Sequence, residues 1–294
     1  MPNTRQIVQR IKTAGNISKI TKAMEMVSAS KMRRAQASAL ATRPYTEALN
    51  SSLQSLAEAS SITVHPLLTQ HEEGFDVAVI ISTDKGLCGS LNPSLFKETI
   101  AWLKHHKEGK VVAVGKKAVA FARLAGIELY AQFTDLPDQV SPSDTISIST
   151  LIKEGFLDKE FRSVSLIYMD FVSTLVQKVH VQQVLPLPKI ETSEAALVDK
   201  LNEAEYIFEP NADAILNNLL PYYLENSVYQ AFLEARASEH SARMVSMKNA
   251  SENAGELMSD LRLVYNKSRQ ASITSELLDV VTALLAQDQK EATH

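Results

Sequence analysis

Cysteine is nearly absent, with Cys88 alone among 294 residues. That excludes an intrachain disulfide and any metal site made from this chain's thiolates, and it makes a reducing compartment the expected setting. Glycine (9) and proline (10) are also scarce, roughly half the share of an average globular chain. With so few turn formers beside an ordinary apolar content of 45%, long helices are predicted. No apolar run approaches the ~20 residues of a membrane span, Val77 to Ile81 being typical of the longest. No secretory hydrophobic segment opens the chain. The expected class is a soluble protein large enough to bury a substantial core.

The net charge of −4 conceals an asymmetry. Arg5, Arg10, Lys12, Lys19, Lys22, Lys31, Arg33, Arg34 and Arg43 face only Glu25 within residues 1–43, so this arm carries +8 and the remainder −12. A basic arm on an acidic protein invites an anionic partner: nucleic acid, a membrane surface or an acidic protein loop. The arm contains no Phe, Trp or Tyr, which disfavours stacking on bases.

Between Gly15 and Gly74 there is no glycine, and the only prolines are Pro44 and Pro66. A first helix is predicted from an Asn3 or Thr4 cap to about Ala59, with an apolar stripe through Ile7, Ile11, Ile17, Ile20, Met24, Val27, Tyr45, Leu49, Leu53 and Leu56. Gly15-Asn16 interrupts the stripe and Pro44 invites a bend. From Tyr222 onward there is only Gly255. A heptad seam runs through Ala250, Ala254, Leu257, Leu261, Val264, Ser268, Ala271, Ser275, Leu278, Thr282 and Leu285, predicting a coiled-coil helix from about Ala212 to Ala286. Half of that seam is small or polar, which permits a close helix pair.

The middle alternates β-branched runs (Phe75 to Thr83, Val111 to Gly115, Leu129 to Thr134, Val164 to Ser173, Gln177 to Val184) with helical stretches (Pro93 to His106, Lys116 to Leu124, Asp144 to Phe161). Such alternation predicts a mostly parallel layered domain, its last two strands forming an antiparallel edge hairpin. The expected fold is α/β: a long antiparallel coiled coil of N- and C-terminal helices plus a small Rossmann-like α/β domain, a rod with a side domain. The segments are 1–60, 75–190 and 210–294.

Motifs for chemistry are missing where such a domain would carry them. Gly86-Leu87-Cys88-Gly89-Ser90-Leu91-Asn92 follows the first strand, yet it ends neither in Gly-Lys-Ser/Thr nor in three spaced glycines. Gly115-Lys116-Lys117-Ala118 fails likewise. The favoured reading of the first loop is a structural turn or partner contact. Cys88 has no base assigned to it, and the seven histidines show neither a zinc spacing nor HExxH. No catalytic, cofactor or metal site is expected from this chain. Met24, Met26, Met32, Met244, Met247 and Met258 exceed what a thin pair of helices can bury, so some are expected to face a partner.

Four longer words carry a resemblance: Ile20-Thr21-Lys22-Ala23-Met24-Glu25-Met26-Val27-Ser28-Ala29-Ser30-Lys31-Met32, Asp84 through Asn92, Arg243-Met244-Val245-Ser246-Met247-Lys248, and Leu263-Val264-Tyr265-Asn266-Lys267-Ser268-Arg269-Gln270-Ala271-Ser272-Ile273-Thr274. In this order, and across the whole chain, they resemble the gamma subunits of F-type ATP synthases. The resemblance implies a central-stalk rotor inside a ring of alternating alpha and beta subunits, with the α/β domain at the foot beside epsilon and the ring of c subunits. It would couple ion flow through the c ring to sequential changes of the beta subunits, regulating ATPase activity and proton flow, while Mg-ATP is bound by the partner subunits. Met24 with Lys19 and Lys22 resembles the collar that meets an acidic loop of beta. Arg269, Gln270 and Thr274 resemble the contacts of the beta catch loop, Arg243 a coupling position on the facing helix, and Tyr206 and Glu209 the foot contacts. Ala283-Leu284 departs from the Gly-Ala pair common at that place. The paired cysteines of the light-regulated chloroplast version are missing.

The expected location is peripheral, on the cytoplasmic face of a bacterial inner membrane. Two other readings stay open on residues alone: a coiled-coil scaffold or nucleic-acid-binding protein using the basic arm, and a nucleotide enzyme in the middle domain.

Overall fold

The computed structural model describes residues 4–59, 65–187 and 211–291. Two helices dominate: α1 (Thr4–Ala59) and α5 (Ala212–Glu291). Between them lie β1 (Phe75–Ile81), α2 (Leu91–His105), β2 (Lys110–Val114), α3 (Lys116–Ala125), β3 (Leu129–Phe133), α4 (Pro142–Leu157), β4 (Phe161–Phe171) and β5 (Gln177–Leu185). The chain divides into two compact units, Met1–Val27 with Met244–His294, and Ser28–Arg243.

In the larger unit the five strands form one sheet of order β3-β2-β1-β4-β5. The first four are parallel and β5 returns antiparallel to β4, pairing Phe171 with Gln177 beside the turn. Alternation along β1 explains why both faces are covered. Val77, Val79 and Ile81 point to one core with Ile148, Ile152 and Phe156 of α4, Leu49 and Leu53 of α1, and Leu216 to Ala235 of α5. Ala78 and Ile80 point to the other, with Leu95 and Trp102 of α2 and Ala118 of α3. Fully buried side chains such as Phe156, Phe161 and Phe232 each contribute about 1.5–3 kcal/mol. Gly155 admits this packing, since a Cβ there would stand 2.3 Å from the Phe161 ring. At the edge of this unit α1 and α5 run antiparallel: Thr42 Oγ1 donates to Gln230 Oε1 (2.7 Å) and Asn226 Nδ2 to Thr46 Oγ1 (3.0 Å).

The smaller unit is a pair of antiparallel helical segments. Ser18 meets Ser251, where Ser251 Oγ donates to the Ser18 carbonyl at 3.2 Å, and Gly15 faces Met258. The expected stripe on α1 is corrected between Ala14 and Val27 and at the exposed Tyr45, whereas Leu49 and Leu53 are buried as expected. Ile7 and Ala14 are buried, but the inward line continues through Ser18 and Thr21, while Ile17, Ile20 and Val27 are exposed. On α5 the inward line is Met247, Ser251, Ala254, Met258, Leu261, Tyr265 and Ser268, and Leu257 and Val264 point outward. The reason is distance. Small residues on α1 (Ala14, Gly15, Ser18) leave room for the larger Met258, Leu261 and Tyr265 of α5, so bulk is carried by one helix and not by both. Neither Gly15-Asn16 nor Pro44 divides α1, and α5 continues through Pro221.

Candidate functional site

The crevice at the carboxyl ends of parallel strands is where doubly wound sheets bind ligands. Here α5 fills it. Phe232, Ala235, Arg236 and Glu239 lie against Ile81, Thr83, Asp84, Gly115 and Met169, leaving about 10 Å³, the room of one water. The N-terminus of α3, the natural anion seat, is already capped: Asp84 Oδ1 accepts from Lys116 N–H (2.9 Å) and Ser82 Oγ from Ala118 N–H (2.8 Å). The loop 84–92 is stitched together internally. Asn92 Nδ2 donates to Thr83 Oγ1 (2.8 Å) and to Cys88 Sγ (3.4 Å), and Thr83 Oγ1 donates to the Lys85 carbonyl (2.7 Å). Cys88 is buried, and burial pushes its thiol up, away from the thiolate a nucleophile needs.

Across this loop runs an ionic cluster whose components recur every three or four residues on one face of α5. Glu239 Oε2 accepts from Arg236 Nη1 (2.8 Å) and Glu239 Oε1 from Arg243 Nη2 (2.7 Å). Arg243 also donates to the carbonyls of Lys85 (3.2 Å) and Gly86 (3.3 Å), and Arg236 to that of Leu136 (3.3 Å). Burial pushes Glu239 up, but the two guanidinium groups outweigh it and hold the carboxyl below its ordinary range. His240 is 2% exposed and shifted to about 4, mainly by burial. Arg236, Glu239 and His240 were not singled out by sequence; the three-and-four spacing Arg236, Glu239, Arg243 was the available signal.

The structure distributes the anticipated contact residues as follows. Arg243 is 8% exposed and turned onto its own chain's loop. In the smaller unit Lys19 and Lys22 are exposed and Met24 is half-buried, while Lys22 pairs with Glu25 at 3.0 Å, the single acid of the basic arm. Arg269, Gln270 and Thr274 are all exposed, on a stretch of α5 whose every residue from 273 to 283 faces solvent. Thr274 Oγ1 donates to the Gln270 carbonyl (3.0 Å). The two sets are not brought together. Stepping from Ser18–Ser251 through Gly15–Met258, the start of α1 falls beside about residue 268 of α5. Tyr206 and Glu209 lie outside the described residues. Among the described residues no helix is long and apolar enough to cross a membrane.

A family model described as ATP synthase matches residues 3–286. The ATP synthase gamma chain of Glaesserella parasuis is 43% identical over 97% of this chain and all of its own length, and that of Dehalococcoides mccartyi 42% identical over 96% and 98%. Among solved structures, a chain in the central stalk and c ring of Tetrahymena thermophila mitochondrial ATP synthase shares 27% identity at a TM-score of 0.60, covering 79% of this chain and 99% of that one. A chain of the Euglena gracilis enzyme shares the fold at a TM-score of 0.65 and 17% identity, over 97% and 94%. The scaffold or nucleic-acid reading of the basic arm finds no support in these matches. With sequence, fold and relatives in agreement from end to end, the chain belongs to the ATP synthase gamma chain family.

Proposed function

We propose that this chain is the central-stalk rotor of an ATP synthase, a non-catalytic shaft that couples ion flow through a membrane ring of c subunits to sequential conformational changes of catalytic beta subunits. The observation that carries the reading is the inverted packing of the smaller unit. From Ala14 to Thr21 the α1 side of its seam is small and polar, whereas Ile17, Ile20, Met26, Val27, Leu257, Leu263, Val264, Leu277 and Leu278 are 46–70% exposed. Apolar surface on that scale is kept for a partner, and a ring of alternating alpha and beta subunits would enclose it from all sides.

Coupling then follows from asymmetry. Three equivalent sites around a shaft with unlike faces meet different side chains, so each orientation favours one set of conformations. Every 1.4 kcal/mol of such difference is about a tenfold change in affinity. Mg-ATP and the chemistry reside on the beta subunits. Lys19, Lys22 and Met24 form a cationic and apolar collar for an acidic loop of beta, and Arg269, Gln270 and Thr274 are gripped nearer the tip. Arg243 clamps loop 84–92 to α5, so that the loop turns with the helix. Tyr206 and Glu209 meet epsilon and the c ring. The setting is peripheral, on the cytoplasmic face of a bacterial inner membrane, in keeping with the bacterial relatives.

Co-expression with alpha and beta subunits tests the reading. A stoichiometric complex should form, and steady Mg-ATP hydrolysis should depend on this chain. Hydrolysis at the same rate without it, with the chain eluting alone, would sink the proposal. In reconstituted vesicles Met24→Lys should lower ATP-driven proton pumping more than hydrolysis, because a new cation beside an acidic loop deepens some rotary positions and slows departure from them.

A further inference from the structure

Beside the ionic cluster, a cleft of about 230 Å³ opens between α1, the loop after β3 and α5. We propose that it binds a phosphate-class oxyanion, independently of the rotor assignment. Lys31 and Arg34 from α1 and Arg236 and His240 from α5 line it, with Ser38 and Gln139. Asp138 is the one carboxylate of the lining and is already engaged by Lys31, while Glu239 behind it is shared by Arg236 and Arg243. Arg34 forms no ion pair among the described residues, and its position on the rim is exposed. The balance is therefore cationic: Lys31, Arg34, Arg236 and Arg243 against Asp138 and Glu239.

The walls of the cleft also hold unmet hydrogen bonds. Arg236 Nε and His240 Nδ1 are buried with no partner, and both residues line the cleft. Arginine Nε always carries a proton, so the site holds a donor with no acceptor. An oxyanion supplies acceptors to Lys31 and Arg34 at the rim, and a turn of the Arg236 and His240 side chains towards the cleft gives their buried, unpartnered nitrogens an acceptor as well. The volume exceeds that of a single water, at about 30 Å³ of liquid each, and accommodates a phosphate with part of its hydration. An apolar ligand would leave the donors unmet, and a cation would face like charge.

Equilibrium dialysis of the full chain against labelled inorganic phosphate, with pyrophosphate, ADP and acetate as competitors, decides the matter. One saturable site is expected, displaced by pyrophosphate and ADP and not by acetate. Arg34→Gln should weaken it about tenfold, as befits one charge-assisted contact. Asp138→Asn should tighten binding by removing the opposing carboxylate, a gain that misfolding does not produce. Lys97→Gln on α2 should leave the affinity unchanged. The absence of saturable phosphate binding, equal binding by Arg34→Gln, or equal competition by acetate would each overturn the proposal, the last by pointing to a carboxylate from a protein partner.

Discussion

Glu239 shows how one buried side chain organises its surroundings. It joins two guanidinium groups that in turn hold the carbonyls of two separate loops. Removing the carboxylate leaves two buried cations unpaired, a change that costs about 3–5 kcal/mol. Glu239→Gln should therefore lower stability by roughly that amount in urea denaturation. Neutralising the exposed pair Lys248–Glu252, both about 60% exposed and 4.0 Å apart, should cost well under ~1 kcal/mol. His240 gives a pH signature. Its folded value of about 4 lies below the unfolded 6.5, so the unfolded chain binds more protons between these values. The stability from its neutral form is complete above pH 6.5 and falls as pH drops towards 4, by up to about 3 kcal/mol. His240→Gln should flatten the stability profile across that window. A slope equal to the wild type's would assign the effect to other groups. Asp76, Asp138 and Asp144, whose values lie below the ordinary 3.8, lose their contributions only at lower pH.

At the scale of elements, strands and seam differ in how legible they were. All five strands lie where β-branched runs stand between turn residues; β1 and β2, covered on both faces, are almost wholly apolar, whereas the edge strand β5 (Gln177–Leu185) alternates polar and apolar residues. The long helices were equally readable from the scarcity of glycine and proline, but the helix expected over Asp144 to Phe161 runs from Pro142 to Leu157, because Phe161 already pairs with Phe75 at the start of β4. The inner face of the helix pair was not readable. Hydrophobicity marks what leaves water, yet between residues 14 and 21 of α1 the side chains turned inward are Ala14, Ser18 and Thr21, while Ile17 and Ile20 are exposed. Two phases of the same heptad were available on α5, and the choice of Met258 over Leu257 depends on its lying opposite Gly15. Ser18→Leu should thus wedge the helices apart and destabilise the chain by about 1–3 kcal/mol. Leu257→Ser, although it removes a larger apolar group, should stay within about 0.5 kcal/mol. Thermal denaturation of the two variants distinguishes this seam from the alternative, which predicts the reverse order. The proposed contact residues rest on motif words alone, since neither charge nor periodicity singles out Gln270 or Thr274 on an exposed helix.

For the molecule as a whole, the register of the helix pair sets where the chain depends on others. The beginning of α1 comes level with about residue 268 of α5, and α5 goes on to Glu291. Beyond that level Ile273, Leu277, Leu278, Val280 and Val281 are 48–62% exposed, with no opposing helix among the described residues to cover them. A helical segment of this length is marginal in water without tertiary contacts, since packing of an apolar face and not propensity sustains most helices. It also carries Arg269, Gln270 and Thr274, so the residues proposed for the grip lie on the part least supported from within. Amide hydrogen exchange should report this directly. In the isolated full chain, protection should be high from about residue 244 to 265 and fall steeply past about 270, whereas assembly with alpha and beta subunits should protect residues 270–283. Unchanged exchange there on assembly would mean that the ring does not enclose this end, and the grip would have to be sought elsewhere on the chain.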